Sequence, residues 1–144
     1  MIKIICVGKI KEKFYRDAID EYMKRLTKYH KVIINEVMDS DINKEKDLIF
    51  KYIRDKDYVV VLDINGNMFD SLDFSTFIDK TLIINSNITF VIGGSDGLHD
   101  DVKKRANYSL SFSKLTFPHQ LFRVILFEQI YRAFKIINNE AYHK

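Results

Sequence analysis

The feature that most constrains the fold is an alternation of short apolar runs with longer segments of helical period. Ile2 to Val7 is an apolar run of the kind found in the buried strands of parallel sheets. Glu12 to Tyr29 follows it, with a stripe of apolar side chains at every fourth position: Phe14, Ala18, Tyr22 and Leu26. The same change of period recurs along the chain. Strands that alternate with helices predict an α/β domain with a mostly parallel sheet.

Five strands and five helices are predicted in this way. A parallel sheet needs helices on both faces, because its strands are buried on both sides. The tetrapeptide Ile64-Asn65-Gly66-Asn67 predicts a turn after the third strand. The predicted strands are 2–7, 31–37, 58–62, 88–92 and 108–112, and the predicted helices are 12–29, 43–54, a helix from Ser71, 100–106 and 120–137.

The chain length and composition favour one domain over residues 1–144, without repeats or linkers. A single cysteine, Cys6, lies in the first apolar run, which predicts a buried and inert thiol in a reducing compartment. No apolar stretch approaches the roughly 20 residues that cross a bilayer. We therefore expect a cytoplasmic protein that does not contact membranes.

Charge is unevenly distributed along the chain. Residues 1–31 carry nine Lys/Arg against four Asp/Glu, residues 32–102 six against fourteen, and residues 103–144 eight against two. Two basic ends around an acidic middle suggest that a polyanion contacts the surface that the ends form. A solvated, salt-bridged surface explains the same distribution, and charge alone does not separate the two.

Special backbone residues concentrate in two predicted loops. Three of the five glycines lie in Gly93-Gly94-Ser95-Asp96-Gly97, directly after the fourth strand, and the only proline is Pro118, before the last helix. Glycine permits a close approach of backbone to ligand, and proline stiffens a loop. Ligands of open α/β sheets bind beyond the carboxyl ends of the strands. The two loops therefore predict a cradle for a flat heterocycle, although tight turns without a ligand would use the same residues.

Other kinds of site have no support in the sequence. The spacing matches neither a dinucleotide fingerprint nor a phosphate-binding Walker loop, and Ser95 does not lie in a nucleophile elbow. The four histidines lack the spacing of metal ligands, so we expect no metal. The last helix carries an apolar stripe that fits a core or a dimer interface. Its charged residues, Arg123 among them, fit either a solvated face or contact with RNA.

Five segments together resemble one family over essentially the whole chain. This family is the small SPOUT-class methyltransferases that modify ring nitrogen 3 of a pseudouridine in large-subunit (23S) ribosomal RNA. The segments are Val7–Lys11, Phe90–Gly97, Ser111–Gln120, Glu128–Phe134 and Tyr142–Lys144.

The resemblance implies several properties that the pattern of elements does not predict. They are a deep trefoil knot in the C-terminal part, a homodimer, S-adenosylmethionine as methyl donor, and the assembled ribosome as substrate. Knots are rare enough that topology rules alone would reject one. By matching positions, the cofactor would contact Leu62, Gly93, Phe112, Ser113, Lys114, Leu115, Thr116 and Phe117.

The resemblance also assigns residues to the methyl transfer. In the family the tail completes the active site of the partner, so Tyr142 and His143 would face the target base, with His119 and Arg123 near the same pocket. We expect Arg123 and Lys144 to contact phosphates. A SPOUT relative that acts on transfer RNA, or a non-catalytic RNA-binding relative, remains an alternative.

A departure from the family lies just before this tail. Asn138-Asn139 stand where relatives often have glycine, and asparagine tolerates the left-handed turn that such a glycine permits.

Overall fold

The computed structural model describes all residues, 1–144, and contains one five-stranded sheet in which every paired strand is parallel. The strand order is β2-β1-β4-β3-β5. In chain order the elements are β1 (Ile2–Val7), α1 (Lys13–Leu26), β2 (Val32–Val37), α2 (Ile42–Phe50), β3 (Tyr58–Met68), α3 (Ser71–Ile84), β4 (Ile88–Ile92), α4 (Asp100–Arg105), β5 (Tyr108–Ser111) and α5 (His119–Ile137).

The central strand β1 separates two hydrophobic layers. All six of its residues are buried, and successive side chains point to opposite faces of the sheet. Ile2, Ile4 and Cys6 pack with side chains of α1, α3 and α5, whereas Ile5 and Val7 pack with side chains of α2 and α4. The prediction of an α/β domain with helices on both faces of a parallel sheet is confirmed.

A buried ion pair lies where the amino ends of β1, β3 and β4 meet, which we call the amino edge of the sheet. Lys3 Nζ lies 3.0 Å from Asp57 Oδ2, and the same carboxylate accepts hydrogen bonds from Thr89 Oγ1 and Asn87 Nδ2. Lys3 Nζ also donates to the carbonyl of Tyr52.

This network explains why α2 ends at Phe50 instead of continuing to residue 54 as predicted. The carbonyl of Tyr52 binds Lys3, and the N–H of Arg54 donates to Asp57 Oδ2 at 2.9 Å, so these backbone groups serve the edge network instead of a helix. Helix α1 is also shorter than predicted, because the N–H groups of Tyr29 and His30 both turn back to the carbonyl of Leu26.

The turn predicted at residues 64–67 does not end β3, so this prediction is wrong. Strand β3 runs on to Met68, and both Leu62 and Asn67 pair with Leu110 of β5. The four residues between them therefore leave the ladder and return to it as a long bulge. Bulges occur next to active sites, where they redirect side chains.

Cys6 is buried in β1, and burial raises the pKa of its thiol to about 12. Such a thiol carries almost no thiolate at neutral pH, so it is not a nucleophile. No helix of this chain has both the length and the apolarity to span a membrane.

Candidate functional site

A cleft of about 320 Å³ opens at the carboxyl edge of the sheet, where β3, β4 and β5 end side by side. This volume lies within the range of about 300–1,000 Å³ that is usual for small-molecule sites. The cleft is lined by Leu62, Asp63, Ile64, Ile92, Gly93, Gly94, Ser95, Gly97, Leu98, Lys103, Leu110, Ser111, Phe112, Ser113, Leu115, Thr116, Phe117, His119 and Phe122.

One wall of the cleft is the glycine loop after β4, which needs its glycines for two different reasons. A Cβ at Gly93 would lie 2.7 Å from the carbonyl oxygen of Gly97, closer than real Cβ contacts come. Gly97 has a φ of +75°, in the left-handed region that favours glycine, and its N–H donates to the carbonyl of Gly94 at 3.0 Å. The loop is therefore folded tightly on itself, with its backbone facing the cleft.

The opposite wall is the loop between β5 and α5, which is fixed by its own side chains. Ser111 Oγ donates to the carbonyl of Ser113, and Ser113 Oγ accepts from the N–H of Leu115. The rings of Phe112 and Phe117 both pack against Phe122 of α5, with centroids 5.2 and 6.2 Å away. Pro118 precedes the first residue of α5. The loop thus presents aromatic side chains and a stiffened backbone to the cleft.

The cleft also contains one ion pair that sequence reasoning missed. Oδ2 of Asp63, in the bulge of β3, lies 3.6 Å from Nζ of Lys103 in α4, and both residues line the cleft. The sequence did contain a signal for Asp63, because this residue directly follows Leu62, an expected cofactor contact. The position of Lys103 gave no such signal, because only the packing of α4 beside β3 brings it to the cleft.

These features suit a flat heterocycle with polar atoms at its edge. Apolar side chains such as Leu62, Leu98 and Phe117 offer faces for a ring, and the two loops offer backbone N–H and C=O groups for its edge. The missing Cβ at Gly93 allows the loop to fold tightly against Gly97, and Gly93, Gly94 and Gly97 all line the cleft. No group of three or more His, Cys, Asp or Glu side chains is arranged to hold a metal ion.

The structure brings together most of the residues expected to contact the cofactor. Lys114 belongs to the same loop, but it does not line the cleft. His119 lines it, whereas Arg123, Tyr142 and His143 do not. The expected residues found in the cleft lining are Leu62, Gly93, Phe112, Ser113, Leu115, Thr116 and Phe117.

Arg123 does not lie on a solvated or RNA-facing surface, and the assignment of its side chain to a phosphate is corrected. Its side chain is only 2% exposed, with Nη1 2.6 Å from Glu36 Oε2. Nη2 donates to the carbonyls of Val7 and Gly8 at 3.0 and 2.7 Å. Arg123 is the fifth residue of α5, and its side chain lies under the loop after β1. The charge pattern of a single helix could not indicate this position.

The C-terminal tail is held against the middle of α5. Asn139 has a φ of +54°, so it makes the left-handed turn that starts the tail. Tyr142 Oη donates to Glu128 Oε1 at 2.9 Å, and the Tyr142 ring lies under the guanidinium of Arg132. Arg132 Nη1 lies 3.1 Å from His143 Nδ1. The tail residues therefore form one cluster with Glu128 and Arg132, outside the cleft of their own chain.

Burial and the hydrogen bond to Glu128 raise the pKa of Tyr142 to about 12. The phenol therefore keeps its proton at neutral pH. The guanidinium of Arg132 can only donate, so His143 Nδ1 must accept, and the proton of the neutral imidazole then lies on Nε2. The Tyr142 hydroxyl and the His143 imidazole are therefore both held by hydrogen bonds to side chains of α5.

Comparison with known proteins shows matches to one family over the full length of the chain. Residues 1–143 match a family model described as "Predicted SPOUT methyltransferase". The chain is 49% identical to the ribosomal RNA large subunit methyltransferase H of Caldicellulosiruptor saccharolyticus, with 100% of both chains covered. It is 54% and 52% identical to the proteins of the same name from Clostridium botulinum (strain Okra) and Clostridium tetani, with 99% of each chain covered.

Solved structures with low sequence identity share the fold. A probable methylase family protein from Haemophilus influenzae superposes with a TM-score of 0.59 at 12% identity, over 99% of this chain and 70% of that one. The SpoU methyltransferase AviRb from Streptomyces viridochromogenes, in complex with the cofactor AdoMet, superposes with a TM-score of 0.51 at 12% identity, over 95% of this chain and 60% of AviRb. From the full-length family match and the identity of about half to its members, the chain belongs to the SPOUT methyltransferases, in the family of the ribosomal RNA large subunit methyltransferases H.

Proposed function

We propose that this protein is an S-adenosylmethionine-dependent methyltransferase of large-subunit (23S) ribosomal RNA, and that its target is ring nitrogen 3 of a pseudouridine. The observation that carries the proposal is the convergence of both special loops on one cleft, in a chain that matches ribosomal RNA methyltransferases from end to end. The intact cleft favours a catalytic protein over an RNA-binding relative without activity.

The cleft would hold the cofactor by its heterocycle. Leu62, Gly93 and the loop 112–117 are the proposed contacts, with Asp63 in the bulge of β3 as an added polar group. Within that loop only Lys114 lies outside the cleft lining. When bound, S-adenosylmethionine supplies an electrophilic methyl group on a cationic sulfonium. The residues that line the cleft would hold this group and would shield one side of it from water.

The protein must also orient a pseudouridine whose N3 carries a weakly acidic proton. We assign this positioning to the tail: His143 Nε2–H donates to a base oxygen, and the Tyr142 hydroxyl offers its remaining lone pair to a base N–H. Neither group is set to remove the proton, because the phenol is protonated and Nε2 carries a hydrogen. Methylation would form the N3–CH3 bond as the methyl–sulfur bond breaks, with S-adenosylhomocysteine as the leaving group and the N3 proton passing to solvent water at the open side of the cleft. Alignment of the base with the methyl group, beside a positive charge that stabilises the developing anion, would contribute to the rate. His119, which lines the cleft, is assigned to contact with the base from the other side.

The tail of one subunit does not line the cleft of the same subunit, and this supports a site that a second copy of the chain completes. We therefore propose a homodimer in which Tyr142 and His143 face the cleft of the partner. Lys144 would contact a phosphate of the RNA near that cleft. We also propose that the C-terminal part is threaded as a trefoil knot, and that the protein works in the cytoplasm on assembled ribosomes.

The experiment offers labelled S-adenosylmethionine and purified protein to assembled ribosomes and to bulk transfer RNA in parallel. We expect methyl transfer to the ribosomes, and mass mapping should locate it on a pseudouridine of the large subunit. If only the transfer RNA is methylated, the alternative of a SPOUT relative that acts on transfer RNA would be favoured. Absence of cofactor binding by calorimetry at millimolar concentration would contradict any methyltransferase.

Two tail variants separate positioning from cofactor binding. His143→Ala and Tyr142→Phe should both lower kcat while the Kd for S-adenosylmethionine stays unchanged, because the proposal assigns both residues to the target base and neither to the cofactor. Wild-type turnover in both variants would remove the tail from the reaction.

A further inference from the structure

We propose that the loop after β1 and the first turn of α1 form an RNA-binding platform beside the cleft. The platform consists of Lys9, Lys11, Lys13, Phe14 and Arg16, all of them exposed. It rests on the proposed function, because it names the surface by which the RNA substrate would be held. It also gives a structural meaning to the basic N-terminal segment, residues 1–31.

The platform lies next to the entrance of the cleft. The N–H of Lys11 donates to Gln120 Oε1 at 2.9 Å, which ties the loop to the first turn of α5. Gln120 follows His119, and His119 lines the cleft. An RNA strand that places one base in the cleft therefore passes within reach of the side chains of Lys9 and Lys11.

The backbone of the platform is anchored from below. Arg123 Nη2 binds the carbonyls of Val7 and Gly8, and the Glu36 carboxylate that pairs with Arg123 also accepts the N–H of Ile10 at 3.1 Å. These contacts all engage backbone groups of the loop. They leave the Lys9 and Lys11 ammonium groups free, and neither group forms an ion pair within 4.0 Å.

The charge of the platform suits a polyanion. Between residues 9 and 16 there are four cations and one carboxylate, Glu12. Lys13 is partly neutralised by Asp17 at 2.7 Å, and Arg16 Nη2 contacts the carbonyl of Ile10 at 3.4 Å. Lys9 and Lys11 are therefore the two cations with no competing partner, and they are the expected phosphate contacts.

An exposed aromatic side chain distinguishes this surface from a merely basic one. Phe14 is 64% exposed, and its ring centroid lies 4.4 Å from that of Tyr15. Unpaired bases of RNA stack on aromatic rings, and cations beside such rings bind the phosphates. A single exposed ring among lysines offers too little apolar surface for a stable protein interface, which is why we commit to RNA.

The test compares two double charge reversals in the full-length protein. Lys9→Glu with Lys11→Glu alters the platform, whereas Lys51→Glu with Lys56→Glu makes the same change of charge at exposed positions before β3, on the opposite edge of the sheet. Binding to purified ribosomes and to a large-subunit RNA fragment is measured at several salt concentrations, together with kcat, KM and the Kd for S-adenosylmethionine. Thermal unfolding checks that both variants are folded.

We expect the platform variant to raise the KM for ribosomes about tenfold, with little change in the cofactor Kd. Its slope of log affinity against log salt should fall by about 1.4 to 1.8, as expected when two phosphate contacts are lost. Phe14→Ala should weaken binding without changing that slope. The control variant should bind as the wild type does.

Equal losses in both charge variants would show that only net charge matters, and wild-type affinity in the platform variant would place the RNA elsewhere; either result overturns the proposal. Binding of the wild-type protein to vesicles of anionic lipid, lost in the platform variant while RNA affinity is kept, would overturn it in favour of a membrane surface. If the wild type transfers no methyl group to ribosomes, the proposed function fails, whereas the RNA-fragment measurement still decides the fate of the platform.

Discussion

Arg123 joins three parts of the chain that are distant in sequence: the end of β1, Glu36 in β2 and the first turns of α5. Its planar guanidinium donates to two carbonyls and to a carboxylate at the same time, which a lysine cannot do. The arginine therefore acts on the substrate only through the loop that it holds. A residue expected to contact phosphate is instead the anchor of the surface proposed to do so.

Removal of this anchor should destabilise the fold. Arg123→Met leaves Glu36 and two carbonyls without their donor, and we expect a loss of about 3 kcal/mol in the free energy of unfolding. Urea denaturation at pH 7 measures it. Arg25→Met is the control, because the ion pair of Arg25 with Glu21 is exposed and its other contacts are with the Tyr22 and Tyr131 rings, so its loss leaves no buried carboxylate or carbonyl without a donor. A loss for Arg123→Met no larger than that of the control would contradict the anchoring role.

Gly93 is the residue at which the cleft tolerates a substitution least. Gly93→Ala introduces a Cβ against the backbone of Gly97, and overpacking of this kind costs about 1–3 kcal/mol. Because the loop must move away, we expect weaker binding of S-adenosylmethionine by calorimetry. Asp96→Ala, in the same loop but outside the cleft lining, should bind normally. Unchanged affinity in Gly93→Ala would mean that this loop is not part of the cofactor site.

At the scale of elements, the sheet has a structural edge and a functional edge. The amino ends of β1, β3 and β4 are closed by the buried network around Asp57, whereas their carboxyl ends open into loops. The stability of the amino edge allows the carboxyl edge to be built from glycine turns and a bulge. Helix α5 connects the functions, because its start lines the cleft and its middle holds the tail.

The amino edge makes stability depend on pH in the acid range. Burial alone would raise the pKa of Asp57, but the N–H of Arg54 and the Lys3 ammonium outweigh it and hold that pKa below its ordinary value of 3.8. A carboxylate whose pKa is lowered by folding stabilises the protein above 3.8, and this contribution is lost as the pH falls through the lowered pKa. Asp57→Asn should cost about 3 kcal/mol at pH 7, and it should flatten the loss of stability below pH 3.8.

Urea denaturation at pH 7 and at pH 3 measures both effects. Asp55→Asn, two residues away on the exposed surface, is the matched control and should change neither. If Asp57→Asn keeps the wild-type dependence on pH, the acid sensitivity arises from other carboxylates.

Helix α5 should control the tail through Glu128. Its carboxylate accepts Tyr142 Oη and also two nitrogens of Arg132, which in turn contacts His143. Glu128→Gln keeps the size of the side chain but weakens this cluster. We expect kcat to fall while the Kd for S-adenosylmethionine and the melting temperature remain near the wild type. A change in the cofactor Kd instead of kcat would place Glu128 in the cofactor site.

At the scale of the whole molecule, the position of the tail outside the cleft of its own chain predicts complementation between subunits. A variant with a damaged tail (Tyr142→Phe with His143→Ala) and one with a damaged cleft (Gly93→Ala) should each have low activity alone. In the proposed homodimer, a mixed dimer would contain one site with an intact cleft and an intact partner tail, so unfolding and refolding the two variants together should restore part of the activity. No recovery in mixed dimers, verified by differently tagged subunits, would mean that each chain completes its own site.

The sequence by itself determined the order of the elements, the parallel sheet and the two loops that form the cleft. These features depend on local information: apolar periodicity for strands and helices, and the backbone freedom of glycine and proline for the loops. Asn139 belongs with them, since its predicted tolerance of a left-handed turn is realised at the start of the tail. The resemblance of the motifs then pointed to the chemistry of the cleft.

Only the tertiary structure decided which charged side chains are buried and which partners they contact. Arg123 and Lys3 look like surface cations in the sequence, yet each is buried by partners that lie far along the chain, Glu36 and Asp57. Asp63 and Lys103 meet in the cleft because a bulge and a helix happen to adjoin there. The residues next to a charged side chain in the sequence do not show whether it is buried. Its partner lies tens of residues away and comes close to it only when the strands pair.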